Sequence, residues 1–352
     1  MKKWGLMIAV SLGVAPLVAC GAPGGDAGDG GEGASVGNSR LQTVLDRGSL
    51  VCGVDGGIPG FSFVENNEYS GLDVDVCKAV AAALFDDPEA VEYRELDSTE
   101  RFEALKGGEV DMLSRNTTWT LSRDSSVGME FAPTTFYDGQ GMMVRAAEGL
   151  TELTDLEGKS VCVEAGTTTE LNLTDQMRQA GVSFEPVVFQ DADAAYAAYE
   201  EARCDGMTSD KSQLVARRST LPNPEEHVVM EVVMSKEPLG PLTINNDSAW
   251  FDTVKWVTYA LIQAEEFGLT ADTVEQATSS EDPNILRFVG AEGTLGTDMG
   301  LPNDFALRAI KHVGNYGEIY ERNLGQGSQF KLDRGQNALW TEGGLMYSPP
   351  FR

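Results

Sequence analysis

Three groups of residues in this 352-residue sequence have types and spacings that support chemistry. Arg123, within Ser122-Arg123-Asp124, carries a planar guanidinium that can grip a carboxylate through two parallel N–H donors, which a lysine cannot copy. Taken alone, such an arginine is more often half of a surface or interlobe ion pair. Gly166-Thr167-Thr168-Thr169-Glu170 follows a β-branched run and opens an amphipathic one, and Thr167 with Glu170 has the spacing of a capping box. Gly166 permits close backbone approach there, and the N–H groups at a helix start make a carboxylate site. By itself the motif does no more than cap a helix. The third group is the cysteines: Cys20, Cys52, Cys77, Cys162 and Cys204. No Cys-x-x-Cys spacing exists and His227 and His312 are far apart, so neither a metal nor any other cofactor is expected. No nucleophile–histidine pair or acid–base constellation stands out, and the chain is read as a non-enzyme.

The elements that must position these residues alternate short β-branched runs with amphipathic stretches, which is α/β organisation. Strand Ser49–Val54, helix Asp73–Phe85, strand Val91–Glu95 and helix Glu100–Lys106 come first. In the first of these helices Val74, Cys77, Val80, Ala81 and Leu84 recur at helical spacing and mark a core-facing stripe. A second series follows Gly158: strand Ser160–Val163, helix Thr168–Ala180, strand Ser183–Phe189, helix Asp191–Ala202, and strands Gly206–Ser209 and Val228–Val233. Ser248–Glu266, Ala271–Thr278 and Asp304–Gly314 then read as helices that pack back on the first unit, and nothing after residue 240 resembles a third sheet.

Residues 1–19 begin with Lys2 and Lys3, continue through an apolar stretch from Leu6 to Ala15, and end at Leu17-Val18-Ala19-Cys20, the pattern of an export signal with a lipobox. Cleavage before Cys20 leaves that residue lipidated and the chain held at a membrane. Residues 20–39 are glycine-rich and read as a flexible tether. Export meets an oxidising compartment, where the four remaining cysteines admit three pairings. Joining Cys52 to Cys77 and Cys162 to Cys204 keeps both bridges local, each contributing about 3–4 kcal/mol on the chain-entropy model. With 55 acidic against 26 basic residues the net charge is −29, which repels phosphate backbones and argues against a nucleic-acid partner.

Four stretches carry more specific information: Leu50-Val51-Cys52-Gly53-Val54; Ser114-Arg115-Asn116-Thr117-Thr118-Trp119-Thr120 with Ser122-Arg123-Asp124; Gly166-Thr167-Thr168-Thr169-Glu170-Leu171-Asn172-Leu173; and Thr208-Ser209-Asp210. Together they resemble the general L-amino-acid-binding proteins of polar amino acid ABC transporters, in bacterial solute-binding protein family 3. The similarity runs from about Leu41 to Arg352 and includes Asn315-Tyr316-Gly317-Glu318-Ile319 and Gly343-Gly344-Leu345-Met346-Tyr347. The resemblance implies a type II periplasmic-binding-protein-like clamshell of two α/β lobes. Residues 40–142 and 243–352 form lobe 1 and residues 143–242 lobe 2, with two crossover strands near Met142–Arg145 and Ser235–Leu242. It also implies a monomer that captures an L-amino acid and delivers it to ABC permease subunits, while the membrane anchor at Cys20 is expected from the lipobox. The lipobox is a departure, because relatives in Gram-negative bacteria are commonly free in the periplasm. Two other functions share the fold: a sensor module presenting ligand to a receptor, and a dehydratase acting on cyclic amino acid precursors.

Under that resemblance Arg123 and the helix start at Thr167 and Thr168 take the ligand carboxylate, while Asp210 takes the ammonium with help from Asn116 and Thr118. Thr118 serves both ends of the zwitterion. The competing role for Asp210 is to cap the helix beginning at Lys211. Asp55, Phe61, Trp119 and Tyr137 lie in loops expected to face the cleft and wall the side-chain end.

Overall fold

Leu50–Val54 is a run of five residues all shielded from water, as a parallel strand covered on both faces requires. The computed structural model describes residues 39–352; the expected export signal, the expected lipidation site at Cys20 and the glycine-rich segment before Ser39 lie outside the described residues. The strand pairs in parallel with Val91–Glu95 on one side and Met112–Leu113 on the other. Leu242–Ile244 and Met129–Phe131 complete this sheet in antiparallel sense, giving the order 91–95, 50–54, 112–113, 242–244, 129–131. Helix Leu72–Phe85 packs against helices Phe305–Val313 and Ser248–Glu266, so the C-terminal helices do return to the first lobe. The opposite face of the sheet is filled by Leu105, Val110, Leu113, Met129 and Leu242.

The second sheet repeats the plan, in the order 185–189, 160–164, 206–210, 140–145, 227–229. Its first three strands are parallel, and Gln140–Arg145 runs antiparallel between Gly206–Asp210 and His227–Val229. Successive residues of that strand enter different cores: Met142 packs with Leu173 and Met177, Met143 with Tyr199 and Leu214. That division follows from the period of two along a strand.

The crossover differs from the expectation. The chain passes between the sheets at Phe136–Asp138 and returns at Glu237–Leu239, and these two segments pair antiparallel with Phe136 opposite Leu239 and Asp138 opposite Glu237. The return lies within the expected Ser235–Leu242, but Met142–Arg145 belongs to the second sheet, because Met142, Met143 and Val144 are buried and paired to Thr208, Met207 and Gly206. Gly139 lets the chain through this junction: a Cβ there would meet Val233 Cγ1 at 2.6 Å and the Ser235 carbonyl oxygen at 2.9 Å.

Two further elements also differ. Strand Val228–Val233 shortens to His227–Val229, since the chain leaves the ladder after the Met230 N–H has bonded the Met142 carbonyl and rejoins with Met234 to Gln140. Ala271–Thr278 becomes a 3₁₀ segment, Val274–Ser279. Both disulfides form within single lobes, Cys52–Cys77 tying a strand to the following helix and Cys162–Cys204 tying strand Ser160–Glu164 to the loop after helix Ala192–Glu200. Among the described residues, no helix is long and apolar enough to cross a membrane, and no cluster of His, Cys, Asp and Glu suits a metal ion.

Candidate functional site

The residues quoted from the four motifs come together where the parallel strands end. Asp55 follows Leu50–Val54, Ser114–Thr118 follows Met112–Leu113, Thr167 and Thr168 follow Ser160–Glu164, and Asp210 closes Gly206–Asp210. Carboxyl ends of strands in an open α/β sheet are the usual place for a ligand. Here two such ends face each other around a cavity of about 30 Å³, walled by Asp55, Asn116, Thr118, Arg123, Thr167, Thr168 and Asp210 with other polar side chains.

Arg123 sits in the short helix Leu121–Ser125, whose start is capped by Thr120 accepting the Arg123 N–H at 3.3 Å. Its guanidinium donates Nη1–H to the Thr118 carbonyl at 2.8 Å and lies over the Phe102 ring at 5.3 Å. Burial pulls Arg123 down to about 10, while Glu237 and Asp210 act in the other direction. No carboxylate lies within 4.0 Å of it among the described residues. Opposite, helix Thr168–Ala180 opens as the sequence indicated: the Thr167 hydroxyl accepts the Glu170 N–H at 3.1 Å. The Glu170 carboxylate reaches back to the Gly166 N–H at 2.9 Å, so the box closes on Gly166 and the Thr168 and Thr169 N–H groups are left as first-turn donors beside the cavity.

Asp210 is 6 % exposed and precedes helix Lys211–Arg218 without capping it through its side chain, which removes the competing role. Its carboxylate instead accepts from Asn116 Nδ2 across the cleft at 3.4 Å. Burial, then the negative charge of Asp138 and Glu237, push Asp210 well above the usual carboxylate range, against Arg123 and Arg101. Such a site favours a cationic group that would restore the charge of the carboxylate. Asn116 holds a left-handed φ of 43°, a conformation asparagine tolerates. Buried Asp73 stabilises it by accepting the Asn116 N–H at 2.9 Å and the Ser114 hydroxyl at 3.3 Å.

Several residues escaped the sequence reading. Glu237, buried in the return crossover, accepts from Thr118 at 2.6 Å, Thr168 at 2.9 Å and Asn172 at 2.9 Å, and also from Ser235. Arg115 bonds the Leu96 carbonyl at 2.6 Å and pairs with Asp55 at 2.6 Å and Glu164 at 3.8 Å. Arg101, from helix Arg101–Gly107, also walls the cavity. Arg115 was inside a quoted motif, and its polar neighbours were a usable signal; Glu237 gave none, being an isolated acid in an extended segment.

The expected aromatic wall does not form. Phe61, 1 % exposed, packs edge-on to Phe136 at 5.1 Å inside the first lobe. Trp119 is 46 % exposed and stacks on Phe131 at 6.1 Å, outside the cavity wall. Tyr137 lies in the crossover, where its backbone N–H bonds Asn337 Oδ1 at 2.6 Å. The cavity is walled mainly by polar side chains instead. A second recess of about 440 Å³, lined in part by Asp55, Arg115 and Glu164, adjoins the cavity.

The sequence from residue 50 to 326 matches the family model for bacterial extracellular solute-binding proteins, family 3. It is 49 % identical over 317 residues to the general L-amino acid-binding periplasmic protein AapJ of Rhizobium johnstonii, covering 89 % of this chain and 93 % of that one. It is 46 % identical over 316 residues to the glutamate/glutamine/aspartate/asparagine-binding protein BztA of Rhodobacter capsulatus, covering 89 % of this chain and 94 % of that one. A solved ABC transporter periplasmic binding protein from Brucella ovis, with glutathione bound, superposes with a TM-score of 0.88 at 47 % identity, covering 90 % of this chain and all of that one. With two sheet-containing lobes that meet at a polar cleft and a match along most of its length, the chain belongs to the family 3 bacterial extracellular solute-binding proteins.

Proposed function

We propose that the protein is the extracytoplasmic binding component of an ABC importer, capturing L-amino acids by their α-carboxylate and α-ammonium groups. One observation carries this reading: Arg123 from the first lobe and Asp210 from the second are both buried in the wall of one cavity, and neither has an ion-pair partner within 4.0 Å among the described residues. Opposite charges held apart in this way are paired only when a ligand brings the complementary charges. The names of the relatives support an amino acid as that ligand and an ABC permease as the recipient. Thr168 and the helix start join Arg123 at the carboxylate, while Asn116 and Thr118 join Asp210 at the ammonium. Asp55 lies towards the side-chain end. The sequence before Ser39 supports export and an anchor at Cys20. Binding closes the lobes about the Phe136–Asp138 and Glu237–Leu239 segments, and the protein performs no catalysis.

A thermal-shift screen of L-amino acids, their D forms, sugars and small peptides tests the proposal, because a ligand of the folded state stabilises it by about 2.7 kcal/mol at a hundredfold excess over Kd. Several L-amino acids should register. Arg123→Met and Asp210→Asn should each weaken all of them together by about two decades or more. Near-normal affinity in both variants, with a sugar as the strongest ligand, would refute the reading. The recess of about 440 Å³ beyond Arg115 favours a second ligand class, an amino acid extended at its side chain such as glutathione. A larger shift with glutathione than with L-glutamate would identify that class.

A further inference from the structure

The two segments that join the sheets are held by different lobes on either side of one register step. In the outgoing segment, the Tyr137 N–H donates to Asn337 Oδ1 at 2.6 Å and the Tyr137 carbonyl accepts from Asn337 Nδ2 at 3.2 Å. A carboxamide carries the same donor and acceptor as a peptide group, so Asn337 serves the backbone edge of Tyr137 as a neighbouring strand would. The next residue is tied to the other lobe: the Asp138 carboxylate accepts the Ser212 N–H at 3.2 Å and also the Ser212 hydroxyl, at the start of helix Lys211–Arg218. The return segment divides at the same level. Glu237, besides its bond to Thr118, bonds Thr168 and Asn172 of the second lobe, while the Pro238 carbonyl accepts the Trp119 N–H of the first at 2.8 Å. Tyr137 stands opposite Pro238 and Asp138 opposite Glu237, so both segments change lobes between the same two pairs.

Asn337 is itself anchored. It is 4 % exposed and closes the 3₁₀ turn Gly335–Asn337 in the C-terminal segment, beyond residue 326 where the family match ends. The Arg334 Nε–H donates to the Asn337 carbonyl at 2.9 Å. The same guanidinium grips Glu265 through two bonds of 2.9 and 3.1 Å and lies over the rings of Tyr316 and Tyr320. Tyr316 in turn donates to the Thr135 carbonyl at 2.8 Å, two residues before Tyr137. Glu265 lies in the last turn of helix Ser248–Glu266, so this series of bonds is rooted in the first lobe.

We propose that Asn337 is a positioning residue for closure: the C-terminal segment fixes Tyr137 to the first lobe in the open and closed forms alike, and the lobes turn at the Tyr137–Asp138 and Glu237–Pro238 peptide units. This rests on the reading of two lobes that close on an amino acid. Proline restricts its own φ and the conformation of the residue before it, so the return segment is the stiffer side and the outgoing segment takes most of the turn. Without Asn337, Tyr137 would bend as well. The ligand-free form would then sample more arrangements, all given up on closing, and every ligand would bind more weakly by the same factor.

The test places spin labels at Lys106→Cys and Gln179→Cys, exposed positions on helices Arg101–Gly107 and Thr168–Ala180, and measures their separation without ligand and with saturating L-glutamate or L-alanine. In Asn337→Ala the ligand-free distance distribution should broaden while the ligand-bound one stays as narrow as in the unaltered protein. Affinity for the two amino acids should fall by one common factor of about three to ten. A variant with a lower melting temperature but unchanged distributions and affinities would reveal a merely structural contact and overturn the proposal. Should Asn337→Ala not fold, hydrogen exchange of the unaltered protein decides the question: the Tyr137 amide should be equally protected with and without ligand, and protection that arises only with ligand would overturn the proposal. Labels that keep their separation with both amino acids would instead overturn the closure reading, and the proposal with it.

Discussion

Thr118 from the first lobe and Thr168 from the second meet with their hydroxyl oxygens 3.3 Å apart, and both donate to the same Glu237 oxygen. Glu237 belongs to the crossover, so one carboxylate links both walls of the cleft to the segment that joins the two sheets. Removing its charge should therefore weaken the contact between lobes. In Glu237→Gln, affinity for every responding amino acid should fall by about ten- to a hundredfold, in line with the roughly 1.5–3 kcal/mol of a hydrogen bond to a charged group. Titration calorimetry measures this, and unchanged affinity would exclude Glu237 from closure.

Burial pushes Asp73 up to about 7 and Asp138 up to about 6, against the hydrogen bonds that stabilise their charged forms. A carboxyl whose folded-state value exceeds the ordinary ~4 takes up a proton on folding. Its favourable contribution is complete in acid and is lost as pH rises to about 7 for Asp73. Melting temperature should thus decline from this source between about pH 4 and 7, and Asp73→Asn should flatten that decline. A variant whose pH profile matches the unaltered protein would contradict the assignment.

Reduction should unlock each lobe separately. Cys52–Cys77 closes 25 residues and Cys162–Cys204 closes 42, neither spanning the crossover. On the chain-entropy model each loss destabilises by about 3–4 kcal/mol. Denaturant melts of Cys52→Ala/Cys77→Ala and Cys162→Ala/Cys204→Ala should show losses of that order. Non-reducing peptide mapping should recover only the two intralobe bridges.

Phe61 and Trp119, both expected at the ligand, should behave as their positions dictate. Phe61→Ala empties a buried contact with Phe136 and should cost about 3–5 kcal/mol of stability. Trp119→Ala, at a half-exposed ring, should change stability by less than about 1 kcal/mol and leave affinity within threefold. Selective loss of ligand binding in either variant at unchanged stability would return that ring to the cleft.

The sequence by itself determined the features that depend on neighbours along the chain. The Thr167 cap, the helix Thr168–Ala180, the buried strand Leu50–Val54 and the local cysteine pairs follow from side-chain period, capping chemistry and short loop closure. Placement of Arg123 and Asp210 in one cavity was legible through the motifs that resemble known binding proteins, and the tertiary structure brings the two residues to the same wall. What the tertiary structure alone decided are relations between distant residues. Thr118 and Glu237 are 119 positions apart, and Arg115 reaches Glu164 on the other lobe. Nothing in local propensity distinguishes Glu237 from any solvated acid, or Phe61 in a core from Phe61 in a cleft. The crossover moved to Phe136–Asp138 for the same reason: a Met-Met-Val run reads as extended chain anywhere, and only pairing with Gly206–Asp210 makes it an interior strand. Burial is a property of what packs from elsewhere, so the identity of paired and unpaired charges in the cleft emerges only when the two lobes are assembled.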